Sequence, residues 1–181
     1  EVICERAFGV TDLNTHAPVS EQQTLFRVAS ISKIFTTACV LQLAAAHRLD
    51  LQTNVNAYLN RFQIPPAFGK PVTTADLMTH SGGFDDCEFG YAAHNTADKL
   101  SLGYYLVRYL PARVRPPGLF SVYDNYGYAL AGYLVQKVSG TPFGEYARKQ
   151  IFNPLGMTHS SFSPTGALRR QLSTGYLLEE E

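Results

Sequence analysis

Charge is scarce in this sequence, and neither sign dominates. Charged residues make up 17% of the 181, and Lys+Arg and Asp+Glu balance at 15 each, whereas an average soluble domain carries roughly 25% charged residues. With no basic excess and no long run of one sign, there is no footprint for a polyanion, so nucleic acid and anionic membrane surfaces are not expected partners. Cysteine is also thin. Cys4, Cys39 and Cys87 have no CxxC or CxxH spacing, and the five histidines have no HExxH or paired-ligand spacing. A protein-built zinc site is therefore not expected, nor is any other cofactor. The longest apolar stretch, residues 34–46, is interrupted by threonines and Gln42; it falls short of the ~20 residues a membrane span needs. The opening "EVICERAFGV" lacks the basic, apolar, small-residue layout of a signal peptide. Internal repeats, low-complexity tracts and linkers are absent as well.

What is present is an apolar fraction of 45%, enough for a real core within one domain over residues 1–181. Residues 2–10 alternate and end in Gly9, the pattern of a strand entering a turn. "NTHAPVSEQQ" is a polar loop, and "TLFRVAS" an extended approach to a helix that Ser30 or Ser32 can cap and that runs to about His47. That helix is apolar on nearly all faces, which describes a helix buried mid-domain, with Cys39 a buried thiol in it. "TTADLMTH" is a short helix with a threonine cap, ended by Gly82-Gly83. Further helices are expected at "ADKLSLGYYLVRYL", at "YGYALAGYLVQKVSG" with Gly140 as C-cap, and at "TPFGEYARKQIF" with Thr141 as cap and Pro142 in its first turn. "PARVRPPG" breaks the chain and "LFSVYDN" is short and extended; the final "EEE" is a solvated terminus.

Within "FRVASISK", Ser30 and Lys33 stand three apart. On a helix, positions i and i+3 share a face with Cβ atoms about 5–6 Å apart, so the amine can reach the hydroxyl. A serine becomes a nucleophile only when a neighbouring base takes its proton. Lysine can do so as the neutral amine, which partial burial against residues such as Phe35 and a nearby helix N-terminus would favour. The same pattern equally fits a capping serine and a lysine snorkelling from an apolar helix. Tyr123 and Asn125, two apart on an extended segment, point to one side. A phenol near an ammonium ionises more easily and can shuttle a proton, and an asparagine amide can donate to a substrate carbonyl while accepting from a lysine. Read alone, Tyr123 also fits an ordinary core tyrosine, with Asn125 capping the next helix.

Taken together, "FRVASISK", "TTADLMTHSGGF", "FSVYDNYGYALAGYLVQKVSG" and "IFNPLGMTHSSF" resemble the serine β-lactamase and penicillin-binding-protein superfamily, in family order and spacing over roughly residues 7–176. The S-x-x-K pattern is a known signature of that superfamily. The likeness is to the branch that holds class C β-lactamases, DD-carboxypeptidases and related esterases. It implies an α+β (α/β) β-lactamase/transpeptidase-like fold, a helical lobe beside an antiparallel sheet. Ser30 is implied as the acylated nucleophile, Lys33 as its proton acceptor and electrostatic partner, and Tyr123 as a general base/acid shared with Lys33. Asn125 is implied as the donor to the substrate's amide or ester side chain, and the Ser30 backbone N–H as half of an oxyanion hole. His80 is implied as a structural loop residue, and Asp124 stands where a small residue is commoner.

The family's third motif, Lys or His followed by Ser/Thr-Gly on a late strand, has no counterpart. His80-Ser81-Gly82 spells it but precedes the Tyr-x-Asn segment, and Ser173-Thr174-Gly175 lacks the basic residue. The first strand of the family's sheet has no counterpart either. The resemblance therefore implies the central, largely helical portion of a longer enzyme. Its expected activity is acyl-serine hydrolysis of a small-molecule or peptide substrate bearing an amide, ester or β-lactam carbonyl. The resemblance also implies a periplasmic or secreted setting. A non-catalytic member that keeps the pocket for binding, or a plain helical scaffold, are the alternatives that the sequence leaves open.

Overall fold

The computed structural model describes residues 2–85 and 99–176; Cys87, the first residues of the expected helix at 97–110 and the glutamates 179–181 lie outside them. Two helices organise the rest. A 3₁₀ turn, Ala29–Ile31, leads into α1, Ser32–Ala45, and α4, Asn125–Ser139, packs along it. Cys39, Val40 and Leu43 of α1 and Tyr126, Leu130, Ala131, Leu134 and Val135 of α4 are each within 1% of complete burial, and fully burying an aliphatic or aromatic side chain contributes about 1.5–3 kcal/mol. Around this pair sit α2, Thr74–Met78, α3, Leu102–Arg108, and α5, Phe143–Ala147, which runs on into a π-helical turn, Arg148–Phe152, that buries Ile151 and Phe152. The last helix, α6, is Gly166–Arg170. Among the described residues no helix is long and apolar enough to cross a membrane.

Several local expectations are met. Gly140 closes α4 at φ 72°, its N–H donating to the Gln136 carbonyl, a conformation that an L side chain resists. At α2, Thr73 and Asp76 form a capping box: the Asp76 N–H donates to Thr73 Oγ1, and the Thr73 N–H donates to the Asp76 carboxylate. Asp124 is extended, at φ −142° and ψ 115°, and residues 120–124 form neither helix nor strand. Cys39 is a buried free thiol whose pKa burial raises to about 11.

Other expectations are corrected. Residues 2–10 form no strand: Val10 makes one isolated bridge to Pro18. Proline has no N–H to extend that ladder, and Gly9 leaves the extended region at φ 80°. Among the described residues β structure amounts to such isolated bridges, so the expected antiparallel sheet is not formed by them. Helix α1 is buried on one side only, with Ile34 66% and Leu41 46% exposed. Its N-cap is Ile31, in αR conformation and without a side-chain cap bond; neither Ser30 nor Ser32 caps it, because the 3₁₀ turn enters the helix without the extended residue that a cap requires. Asp124, not Asn125, takes the N-cap place of α4. Pro142, not Thr141, takes that of α5. Helix α2 stops at Met78, and His80 (φ 56°) turns the chain before Gly82 and Gly83 are reached.

The two ends of the described chain meet at Asp12. Its carboxylate accepts the Asn14 and Thr15 amides, the Thr174 hydroxyl and the Tyr176 phenol, and the Thr174 N–H donates to the Thr11 carbonyl. The Thr15 amide first, then Thr174, lower the Asp12 pKa from 3.8 to about 2. Because the folded value lies below the unfolded one, this contribution is present above pH 3.8 and is lost as pH falls through about 2. An Asp12→Asn variant should therefore unfold at a pH-independent offset from wild type above pH 5, with the gap closing in acid. A gap that persists unchanged at pH 2 counts against that role.

Candidate active site

The mouth of α1 and the first turn of α4 open on one point of the surface. The chain reaches it through Ala29, which sits in the left-handed region at φ 43°, a conformation disfavoured for any residue with a Cβ. Ser30 follows, inside the 3₁₀ turn, and Lys33 lies one turn on. From the other side come Tyr123, on the extended segment, and Asn125, the first residue of α4.

All four sequence-predicted residues meet. Lys33 Nζ donates to Ser30 Oγ at 3.0 Å, to the Tyr123 phenol oxygen at 2.6 Å and to Asn125 Oδ1 at 2.7 Å. Ser30 Oγ and the Tyr123 phenol are hydrogen-bonded to each other. An ammonium has three protons and no acceptor, so these three partners match its full donor set. Since Lys33 holds Oδ1 of Asn125, the amide's other end, Nδ2, is the end left to donate elsewhere. Both α1 and α4 present their N-termini here, where the helix dipole favours negative charge.

The surroundings differ from those expected. Lys33 is half-buried, and its aromatic neighbours are Tyr123 and Tyr128, with Nζ 4.6 Å and 5.7 Å from the ring centres. Phe35 instead meets Phe152 edge-on at 5.1 Å. Tyr123 is 53% exposed, so the group stands at the surface rather than at a buried helix tip. The hydrogen bond from Lys33, followed by that from Ser30, lowers the Tyr123 pKa from 10.0.

Two neighbours carry the site without having been assigned to it from sequence. Tyr128 donates to the Met78 carbonyl and shares a hydrogen bond with Thr37 Oγ1, tying α4 to α2 and α1; nothing distinguishes it in the sequence among eleven tyrosines. His80 packs against both Tyr123 and Tyr128. The Asp124 carboxylate leans back over α4, where a Cβ on Gly127 would meet its Oδ2 at 2.6 Å, so a larger residue there would have to displace this carboxylate. Among the described residues no group of three or more His, Cys, Asp or Glu side chains converges as a metal site.

A beta-lactamase family profile matches residues 1–180. The chain belongs to the beta-lactamase family. It is 29% identical to penicillin-binding protein 4 of Amycolatopsis lactamdurans over 97% of its own length and 45% of that protein's. Among solved structures, an octameric penicillin-binding protein homologue from Pyrococcus abyssi superposes with a TM-score of 0.82 at 27% identity, covering 99% of this chain and 42% of the other. The D-alanine carboxypeptidase AmpC of Burkholderia cenocepacia gives 0.70 at 28% identity, covering 93% and 44%. The beta-lactamase-family chain thus spans less than half the length of these curated relatives, and its fold is that of the part of the penicillin-binding-protein homologue it superposes on.

Proposed function

We propose that this chain is the nucleophile-bearing part of a serine hydrolase in which Ser30 is acylated by an amide, ester or β-lactam carbonyl. The single observation that carries the reading is the convergence of hydroxyl, ammonium and phenol at Ser30, Lys33 and Tyr123. Family membership and carboxypeptidase neighbours support the same chemistry.

In this reading Tyr123 is the base and Lys33 stays an ammonium. The lowered Tyr123 pKa and the three acceptors around Nζ support that division. As Ser30 Oγ attacks the carbonyl carbon, its proton passes to the Tyr123 oxygen. The carbonyl oxygen becomes an oxyanion, which the Ser30 N–H and the α1 terminus stabilise. Tyr123 then returns the proton to the leaving nitrogen or oxygen, and the C–N or C–O bond breaks. Water enters, gives its proton to Tyr123 and attacks the ester; Ser30 leaves with that proton. Asn125 Nδ2 donates to the substrate's amide oxygen and orients it. Periplasmic or cell-wall location fits such a substrate.

The test is covalent. The protein is incubated with a fluorescent penicillin and, separately, with a fluorophosphonate, then digested and analysed by mass spectrometry. The expected adduct sits on the peptide that contains Ser30. No adduct with either probe, or an adduct elsewhere, sinks the reading.

A further inference from the structure

His80 sits where the loop after α2 crosses the extended segment before α4, and it holds that segment at two atoms. Its carbonyl accepts the Val122 N–H at 2.8 Å, and its Nδ1 accepts the Asp124 N–H at 3.0 Å. The residue between those two amides is Tyr123. The imidazole also packs on the Tyr123 ring, with centroids 4.6 Å apart at 31°, and on the Tyr128 ring at 4.9 Å and 40°. The backbone of His80 is left-handed, φ 56°, and its carbonyl and ring both meet the same segment. A neighbouring bond, Ser121 Oγ to the Thr79 carbonyl at 2.9 Å, adds to the clamp.

We propose that His80 is a positioning residue for Tyr123: the neutral imidazole, accepting the Asp124 amide at Nδ1 and stacking on the phenol ring, sets where that phenol meets Ser30 and Lys33. The inference rests on the reading of Tyr123 as the proton-transfer group. An amide can donate to Nδ1 only while that nitrogen keeps its lone pair, so the proton of the neutral ring is on Nε2. Protonation at Nδ1 would put two hydrogens face to face and expel the Asp124 amide. A displaced catalytic group of about 1 Å can cost on the order of 10²-fold in rate.

The charged and titratable side chains against the ring are Lys33 from α1, Tyr123 from the segment before α4 and Tyr128 from α4, beside the Asp124 backbone amide. Burial first, and the Lys33 charge second, lower the His80 pKa from 6.5. Both causes favour the neutral ring, and the clamp should slacken as pH falls below 6.5.

His80→Ala and His80→Asn separate positioning from mere loop structure. Asparagine tolerates the left-handed backbone, and its Oδ1 can take the place of Nδ1 as acceptor. Acylation of Ser30 by the fluorescent penicillin is expected to slow by about tenfold or more in His80→Ala, in kcat rather than KM. His80→Asn should stay within about threefold of wild type and lack the acidic limb expected of wild type. A second readout needs no turnover. The titration of Tyr123, taken as the difference between each protein and its Tyr123→Phe counterpart, should shift in His80→Ala and hold in His80→Asn. If wild type takes no acyl group, the functional reading fails and this titration alone decides the inference. An unshifted Tyr123 titration in a folded His80→Ala, or a His80→Asn that behaves like His80→Ala, overturns it.

Discussion

Tyr123→Phe lowers the rate of Ser30 acylation by about 10²–10⁴-fold, the span attributable to one positioned proton-transfer group, and leaves the fold intact. The substitution removes a single oxygen. The ring keeps its stack on His80 and its place beneath Lys33 Nζ, and Lys33 keeps its bonds to Ser30 Oγ and Asn125 Oδ1. With the side chain 53% exposed in wild type, no buried group is orphaned, so thermal stability should hardly move. What disappears is the acceptor for the serine proton. The pH profile carries the sharper signature. The phenol's pKa lies below 10.0, through the Lys33 hydrogen bond first and the Ser30 bond next, so the wild-type rate should climb with pH through that lowered value. In Tyr123→Phe that limb should be gone. Acylation kinetics with a fluorescent penicillin across pH measure both effects, and a phenylalanine variant that is acylated at the wild-type rate removes Tyr123 from the chemistry.

Much of this site could be read before any coordinates, because its residues sit at fixed offsets within single elements. Ser30 and Lys33 need one helical turn, and Tyr123 and Asn125 need an extended dipeptide step; both conditions follow from local sequence. Helix α4 was equally legible, its apolar face closed by Gly140, whose φ of 72° explains the choice of residue. Failures came where a tertiary partner decides the outcome. Strand-like alternation in residues 2–10 cannot reveal that Pro18 faces Val10 and ends the pairing. An all-round apolar α1 looks fully buried, yet burial depends on what lies against each face, and Ile34 and Leu41 stand open among the described residues. Ser30 looked like a helix cap, but a capping hydroxyl spends its lone pairs on backbone amides, whereas this one faces Lys33 and Tyr123. The part played by His80 was the least legible. Its bond to the Asp124 amide, next to Tyr123, spans 44 positions of sequence, and no spacing announces the left-handed backbone angle at His80.

Lys33→Met should also be severely damaging, with acylation reduced by about 10³-fold or more, since one removed electrostatic donor costs on the order of 10²–10³ and here three bonds go at once. Methionine retains the length and apolar stem and discards the charge. Tyr123 loses its leading cause of acidity, so its pKa should rise back toward 10.0 and carry the alkaline limb of the rate profile with it. Asn125 loses the partner that fixes Oδ1, leaving its amide free to flip and present the wrong end to substrate. His80 loses the second cause that holds its pKa down, so the acidic limb should move up in pH. The two limbs therefore rise together, although the substitution lies on neither titrating group. Lys33→Arg should not restore the rate, because a planar guanidinium fork cannot point three donors at three converging oxygens as a compact ammonium does. Stability should be unchanged or slightly raised, as a half-buried charge no longer has to be desolvated. Rates and Tyr123 titrations in both variants test this account; a Lys33→Met protein with wild-type acylation and an unmoved Tyr123 titration would refute the ammonium's part in it.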